Sequence, residues 1–97
     1  MNPLVKAIWK GAVIAESDAT IMVEGNHYFP PEAVKMEYLT PTETTSVCSW
    51  KGRYRYFTIT VGGERNIDAA WSYTDPKPAA GEIAGYVAFW KNVEIVD

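Results

Sequence analysis

The chain has 97 residues, of which 47% are hydrophobic and 22% charged, and this length fits one domain, residues 1–97, that buries its own core. The formal net charge of −3 argues against non-specific binding to nucleic acid or to a membrane surface, because both need a basic field. No stretch approaches the roughly 18 apolar residues of a membrane span, and the first residues lack a secretory signal pattern.

The first third of the chain alternates short extended segments with turn residues. Residues 11–16 and 20–24 are interpreted as two strands, and the three-residue turn 17–19 between them predicts a hairpin. Residues 27–29 predict a further short strand. Pro31 favours a single helical turn after it, because proline fits the first helical position.

The middle of the chain contains the clearest strand signal. Residues 35–39 alternate and are interpreted as a strand, whereas the capping-box pattern of residues 40–43 predicts one helical turn. Residues 53–61 alternate strongly and predict a strand. The glycine pair 62–63 predicts a tight hairpin turn into a return strand over residues 66–74.

The last quarter predicts a helical turn at 79–83 and strands at 86–90 and 93–96. No segment has the length of a helix that connects parallel strands, so the pairing should be antiparallel. The sequence therefore predicts a mainly β fold of about seven strands, a single compact antiparallel sheet or barrel-like sandwich with only short helical turns.

The segment from residue 48 to residue 56 is the densest polar cluster. If one strand runs through it, Lys51, Arg53 and Arg55 lie on the same side, about 6–7 Å apart. This stripe is either an anion site for carboxylate or phosphate, or a solvated strand end balanced by acidic neighbours. A bulge at Gly52 would break the stripe.

Cys48 is the one cysteine and His27 the one histidine, which excludes an internal disulfide and a Cys/His zinc site. A lone thiol fits a reducing compartment, so we expect a cytoplasmic protein. Near Lys51, Cys48 is either a reactive thiolate with His27 as base, or an inert buried cysteine. Glu24, with His27 and Tyr28, is either an acid/base group or a solvated strand-end carboxylate.

Aromatic residues are abundant, with four Trp, six Tyr and three Phe. Ile67, Ala69, Trp71 and Tyr73 share one face of their predicted strand, where the two aromatic rings form either a pocket wall or part of the core. Trp50 and Trp90 allow the same two interpretations. No phosphate loop, hydrolase elbow or metal-binding motif occurs, so no cofactor or metal is expected.

Four segments resemble a mainly bacterial family known as domain of unknown function 427. They are "GAVIAES" (11–17), "VEGNHYFPPEAV" (23–34), "CSWKGRYRYF" (48–57) and "AAWSYTDPKPAAGEIAGYVAFW" (69–90). The residues that match its pattern are Glu24, Tyr28, Pro30, Cys48, Lys51, Gly52, Tyr56, Trp71, Tyr73 and Pro76. The chain departs from the pattern at Ser49, where proline is usual, and at Tyr54, a bulky residue that narrows or fills the space it borders.

The resemblance implies a compact all-β fold similar to the Mss4-like arrangement. The cysteine pairs that hold zinc elsewhere in that fold are missing here. The family also carries a nucleotidyltransferase-like label. Such an enzyme needs clustered acidic residues to hold magnesium, and the acidic residues of this chain are scattered.

Three functions remain open. The favoured one is binding of a small, anionic or aromatic molecule in an aromatic cleft, where Lys51 pairs with an anionic group of the ligand. Lys51 is expected to be exposed, so that Lys51→Ala abolishes ligand binding but leaves the melting temperature nearly unchanged. The second is an enzyme that uses Cys48, Tyr56 and Glu24, and the third a protein-interaction or homo-oligomerising domain. The predicted ligand-binding residues are Glu24, Tyr28, Cys48, Lys51, Tyr56, Trp71 and Tyr73.

Overall fold

The structure is a computed structural model that describes residues 3–97. Over this range the chain forms nine strands and three short 3₁₀ turns. The strands are β1 (Val5–Trp9), β2 (Ala12–Ser17), β3 (Ile21–Val23), β4 (Asn26–Tyr28), β5 (Leu39–Cys48), β6 (Gly52–Val61), β7 (Glu64–Pro76), β8 (Val87–Phe89) and β9 (Glu94–Val96). The 3₁₀ turns are Pro31–Ala33, Met36–Tyr38 and Pro78–Ile83.

The strands build three antiparallel sheets, with the orders β2-β1-β9, β3-β4 and β5-β6-β7-β8. The predicted mainly β, antiparallel fold is therefore confirmed, but it consists of several sheets and not of one. The hairpin at Gly62 and Gly63 is also confirmed. Both glycines have positive φ, 57° and 83°, which a tight turn between β6 and β7 requires.

The predicted hairpin between residues 11–16 and 20–24 is wrong. β2 pairs with β1, a strand that the sequence did not reveal, and β3 pairs with β4. Two-residue turns at Lys10–Gly11 and Glu24–Gly25 make these hairpins, and all four residues have positive φ. Such turns match the twist of antiparallel strands and override the longer turn predicted at 17–19.

Two predictions around the start of β5 are also wrong. Residues 35–39 contain a 3₁₀ turn and not a strand, while residues 40–43 belong to β5 and not to a helical turn. Thr40, the predicted cap, and Pro41, the predicted first helical residue, instead pair with Thr58 and Phe57 of β6, and threonine packs well on a strand. The Thr42 hydroxyl donates to an Asp68 carboxylate oxygen (2.9 Å) across the same sheet.

The four-stranded sheet separates two hydrophobic clusters. Val87 and Phe89 of β8 contribute to the first cluster and Ala88 to the second, as strand alternation requires. The first cluster fills the space against the three-stranded sheet. The second lies under the β3–β4 hairpin and the 3₁₀ turn Pro78–Ile83. No helix of residues 3–97 is long and apolar enough to cross a membrane.

A bulge in β7 breaks the face predicted to hold Ile67, Ala69, Trp71 and Tyr73. Asp68 has a φ of 58°, and the register of β7 against β6 shifts at this point. Consequently Ile67 is exposed and Ala69 joins the first cluster, whereas Trp71 and Tyr73 pack in the second. The bulge therefore sets which side of the sheet the two aromatic rings occupy.

Candidate functional site

A cleft of about 420 Å³ opens on the side of the four-stranded sheet that carries the second cluster. Strands β5, β6 and β7 line it, together with the loop after β5 and the residue after β8. Five of the seven predicted binding residues line this cleft: Cys48, Lys51, Tyr56, Trp71 and Tyr73. Its other lining residues are Val47, Tyr54 and Trp90.

Strand register explains why the aromatic rings meet. Tyr54 and Tyr56 are two positions apart on β6 and so point to the same side, and Tyr56 pairs with Trp71 across β6 and β7. Trp90 follows β8, where its backbone N–H donates to the Ala69 carbonyl (3.0 Å) and its indole N–H to the Asp68 carbonyl (2.6 Å). Hydrogen bonding of the main chain therefore sets the positions of these four rings.

The rings touch in sequence and form one aromatic wall. Ring centroids are 5.0 Å apart for Tyr54 and Tyr73 and 5.4 Å apart for Tyr54 and Tyr56. Tyr56 stacks on Trp90 at 6.2 Å, and Trp90 meets Trp71 edge to face at 6.0 Å. The near-perpendicular pair of tryptophans makes a corner in the wall, which leaves aromatic surface available to a bound ring.

Lys51 is a buried cation at one end of the cleft, only 6% exposed. Its ammonium donates to the Glu24 carboxylate and lies 5.3 Å from the Tyr73 ring centroid and 5.4 Å from that of Trp50. Burial lowers the pKa of Lys51, but the hydrogen bond to Glu24 and the neighbouring tyrosines outweigh this and raise it above its usual value. Hydrogen bonding to Lys51 in turn lowers the pKa of Glu24.

The predicted stripe of Lys51, Arg53 and Arg55 is not formed. Gly52 has a φ of 109°, so strand alternation does not continue through it. Lys51 lines the cleft with Tyr54, whereas Arg53 and Arg55 are exposed and do not line it. Lys51 is therefore the single cation of the cleft in the part of the chain that the structure describes.

Glu24 and Tyr28, the other two predicted residues, lie beside and behind the cleft. Glu24 is in the β3–β4 turn and reaches Lys51 from outside the lining. Tyr28 is fully buried, where its hydroxyl accepts a hydrogen bond from the Trp71 indole N–H (3.2 Å) and its ring packs edge to face on Trp71. Tyr28 therefore supports the wall without facing the ligand space.

The residues considered for catalysis have separate partners. Cys48 is half-buried in the cleft, and the backbone N–H groups of Lys51 and Trp50 lower the pKa of its thiol, while burial opposes them. His27 instead hydrogen-bonds the Thr20 hydroxyl (2.8 Å) and is not a lining residue. Because Glu24 binds Lys51, the group proposed from Glu24, His27 and Tyr28 does not share one site.

Tyr54 and Trp90 line the cleft but are not among the binding residues predicted from the sequence. The sequence did contain a signal for Tyr54 as a lining residue, since Tyr54 lies on the same strand face as Tyr56 and is the bulky departure from the family pattern. The place of Trp90 in the cleft depends on the register of β8, which the sequence does not give.

Burial raises the pKa of Tyr56 and of Tyr73 to about 12, so both hydroxyls stay protonated at neutral pH and can donate hydrogen bonds.

Comparison with known proteins gives one family. The model of a family described as a domain of unknown function, DUF427, matches residues 2–97, nearly the full length of the chain. No curated protein matches the chain.

Proposed function

The chain belongs to the DUF427 family, whose function is unknown, and we propose that its aromatic cleft binds a small ring-containing molecule. One observation carries this proposal: five aromatic side chains from three elements surround one hollow of about 420 Å³. That volume is within the range of about 300–1,000 Å³ typical of small-molecule pockets.

The chemistry of the lining suits a ring with polar substituents. The aromatic wall offers stacking and edge-to-face contacts, each worth about 0.5–1.5 kcal/mol beyond the area buried. The hydroxyls of Tyr56 and Tyr73 and the ammonium of Lys51 supply hydrogen bonds at fixed positions. A few fixed polar groups in an apolar wall orient a ligand, which is the usual arrangement of a binding pocket.

Two exposed tryptophans provide a matched test. Trp90 lines the cleft and is 45% exposed, whereas Trp50 is 41% exposed and does not line it. With indole as probe, we expect Trp90→Ala to weaken binding about tenfold, because it removes one stacking surface worth about 1.4 kcal/mol. Trp50→Ala should bind indole like the natural chain.

Isothermal titration of the natural chain and both variants makes the comparison, with circular dichroism to show that each variant is folded. Equal affinities for all three chains, or a larger loss in Trp50→Ala, would contradict the proposal.

A second candidate is an enzyme that uses Cys48, favoured by the lowered pKa of this thiol and its place in the cleft. We expect native Cys48 to react with iodoacetamide at neutral pH faster than the same residue in the urea-unfolded chain, because the native thiol has the larger thiolate fraction. Mass spectrometry of the alkylated chain measures both rates. A native rate at or below the unfolded rate would remove the enzyme candidate.

A further inference from the structure

We propose that the ligand of the cleft carries a carboxylate that takes the place of Glu24 on Lys51. In the free protein the Glu24 carboxylate occupies the position on Lys51 that the ligand's carboxylate takes, and Glu24 leaves Lys51 when the ligand binds. The inference rests on the proposed binding function and adds the class of ligand, a ring compound with one carboxylate.

Lys51 needs an anion in every state of the protein. Its side chain is 7% exposed, and an ammonium that is buried without a partner is strongly disfavoured. Among residues 3–97, the ion pairs are Lys51–Glu24 and a surface pair between Lys10 and Glu64. A ligand that displaces Glu24 must therefore supply a negative charge itself.

Glu24, in contrast, is easily released. Its side chain is 55% exposed, so the freed carboxylate returns to water with little change in its surroundings. It lies at the tip of the β3–β4 hairpin with a φ of 52°, a conformation that residues other than glycine adopt at some cost. The exchange therefore replaces one carboxylate on Lys51 by another, and ring stacking in the cleft supplies the gain.

The charge count favours a carboxylate over a phosphate. Among residues 3–97, Lys51 is the single cation that lines the cleft. A monoanion balances Lys51, whereas a dianion leaves uncompensated negative charge in the cleft. The ammonium lies 5.3 Å from the Tyr73 ring centroid, so one small molecule can reach both the cation and the aromatic wall.

A pair of probes of the same shape tests the exchange. Indole-3-acetate carries the carboxylate, and indole-3-acetamide is its neutral counterpart. We expect Glu24→Ala to bind indole-3-acetate about tenfold more tightly than the natural chain, since the competing carboxylate is gone. The affinity for indole-3-acetamide should stay within about twofold. Glu64→Ala, which removes an acid from the surface pair, should change neither affinity.

Titration calorimetry on the three chains distinguishes the outcomes. If Glu24→Ala changes both affinities equally, or neither, the exchange is overturned while ring binding stands. If neither compound binds any chain, the exchange and the proposed function both fail. Should Glu24→Ala not fold, Glu24→Gln removes the negative charge and keeps the side-chain shape, and the same two affinities decide.

Discussion

Replacement of Gly52 by alanine is expected to lower the free energy of unfolding by about 3 kcal/mol. Gly52 has a φ of 109°, which strains any other residue, and an added Cβ would lie 3.1 Å from the Lys77 backbone nitrogen and 3.3 Å from the Pro76 Cα. Both neighbours are main-chain atoms of the end of β7 and its continuation, where the Lys77 N–H donates to the Lys51 carbonyl (2.8 Å). They cannot move aside as a flexible side chain does.

The matched control for this variant is Gly63→Ala. Gly63 also has a positive φ, 83°, but an added Cβ there meets no atom within 4 Å. It should therefore cost only the backbone strain, about 1–2 kcal/mol. Urea unfolding followed by tryptophan fluorescence measures both variants. Equal losses in Gly52→Ala and Gly63→Ala would show that the close approach of β7 to Gly52 contributes nothing.

The two partners of the Lys51–Glu24 pair are expected to respond unequally to mutation. Lys51→Met should change the free energy of unfolding by less than about 1.5 kcal/mol, since a side chain of similar size fills the site and Glu24 is left in water.

Glu24→Ala should lower the melting temperature by several degrees, because it leaves the Lys51 ammonium buried without its carboxylate. Lys51 is thus buried and ion-paired and not the exposed residue assumed from sequence, so Lys51→Ala should also lose packing.

The pH dependence of the Glu24 effect follows from its lowered pKa. A carboxyl whose pKa is lowered on folding contributes stability above its ordinary pKa of 4.5, and this contribution disappears as the pH falls through the lowered value. The gap in melting temperature between the natural chain and Glu24→Ala should therefore be constant near neutral pH and close in acid below pH 4.5. Thermal unfolding by circular dichroism over this range measures the gap. A gap that persists unchanged in strong acid would show that Glu24 acts by something other than its charge.

Local sequence signals predicted the strands with strong alternation. The strand over β6 is visible because apolar Ile59 alternates with polar neighbours, and the hairpin after it because Gly62 and Gly63 allow only a tight turn. The partners of β2 and β3 could not be predicted in the same way. Lys10 and Glu24 adopt positive φ although neither residue type favours it. Each of the two hairpin turns therefore has glycine at only one of its two positions and lacks the Asn-Gly or Gly-Gly pair that usually marks such a turn in a sequence.

The candidate site was partly predictable, because Tyr56, Trp71 and Tyr73 match the pattern of the family and strand alternation places Trp71 and Tyr73 on one face. The burial of Lys51 was not recognised, since it depends on the backbone conformation of Gly52 and on a carboxylate 27 residues earlier in the chain. Contacts between residues far apart in the chain depend on tertiary packing, so the local pattern of a single sequence does not predict them.

The proposed function requires that the aromatic wall beside Lys51 accepts a ring from solution. Intermolecular nuclear Overhauser effects between added indole and the isotope-labelled chain test it directly. We expect contacts from the indole protons to Trp90, Trp71 and Tyr54, and none to the exposed ring of Trp50. Contacts to Trp50 or to the opposite face of the sheet, with none to the cleft, would contradict the claim.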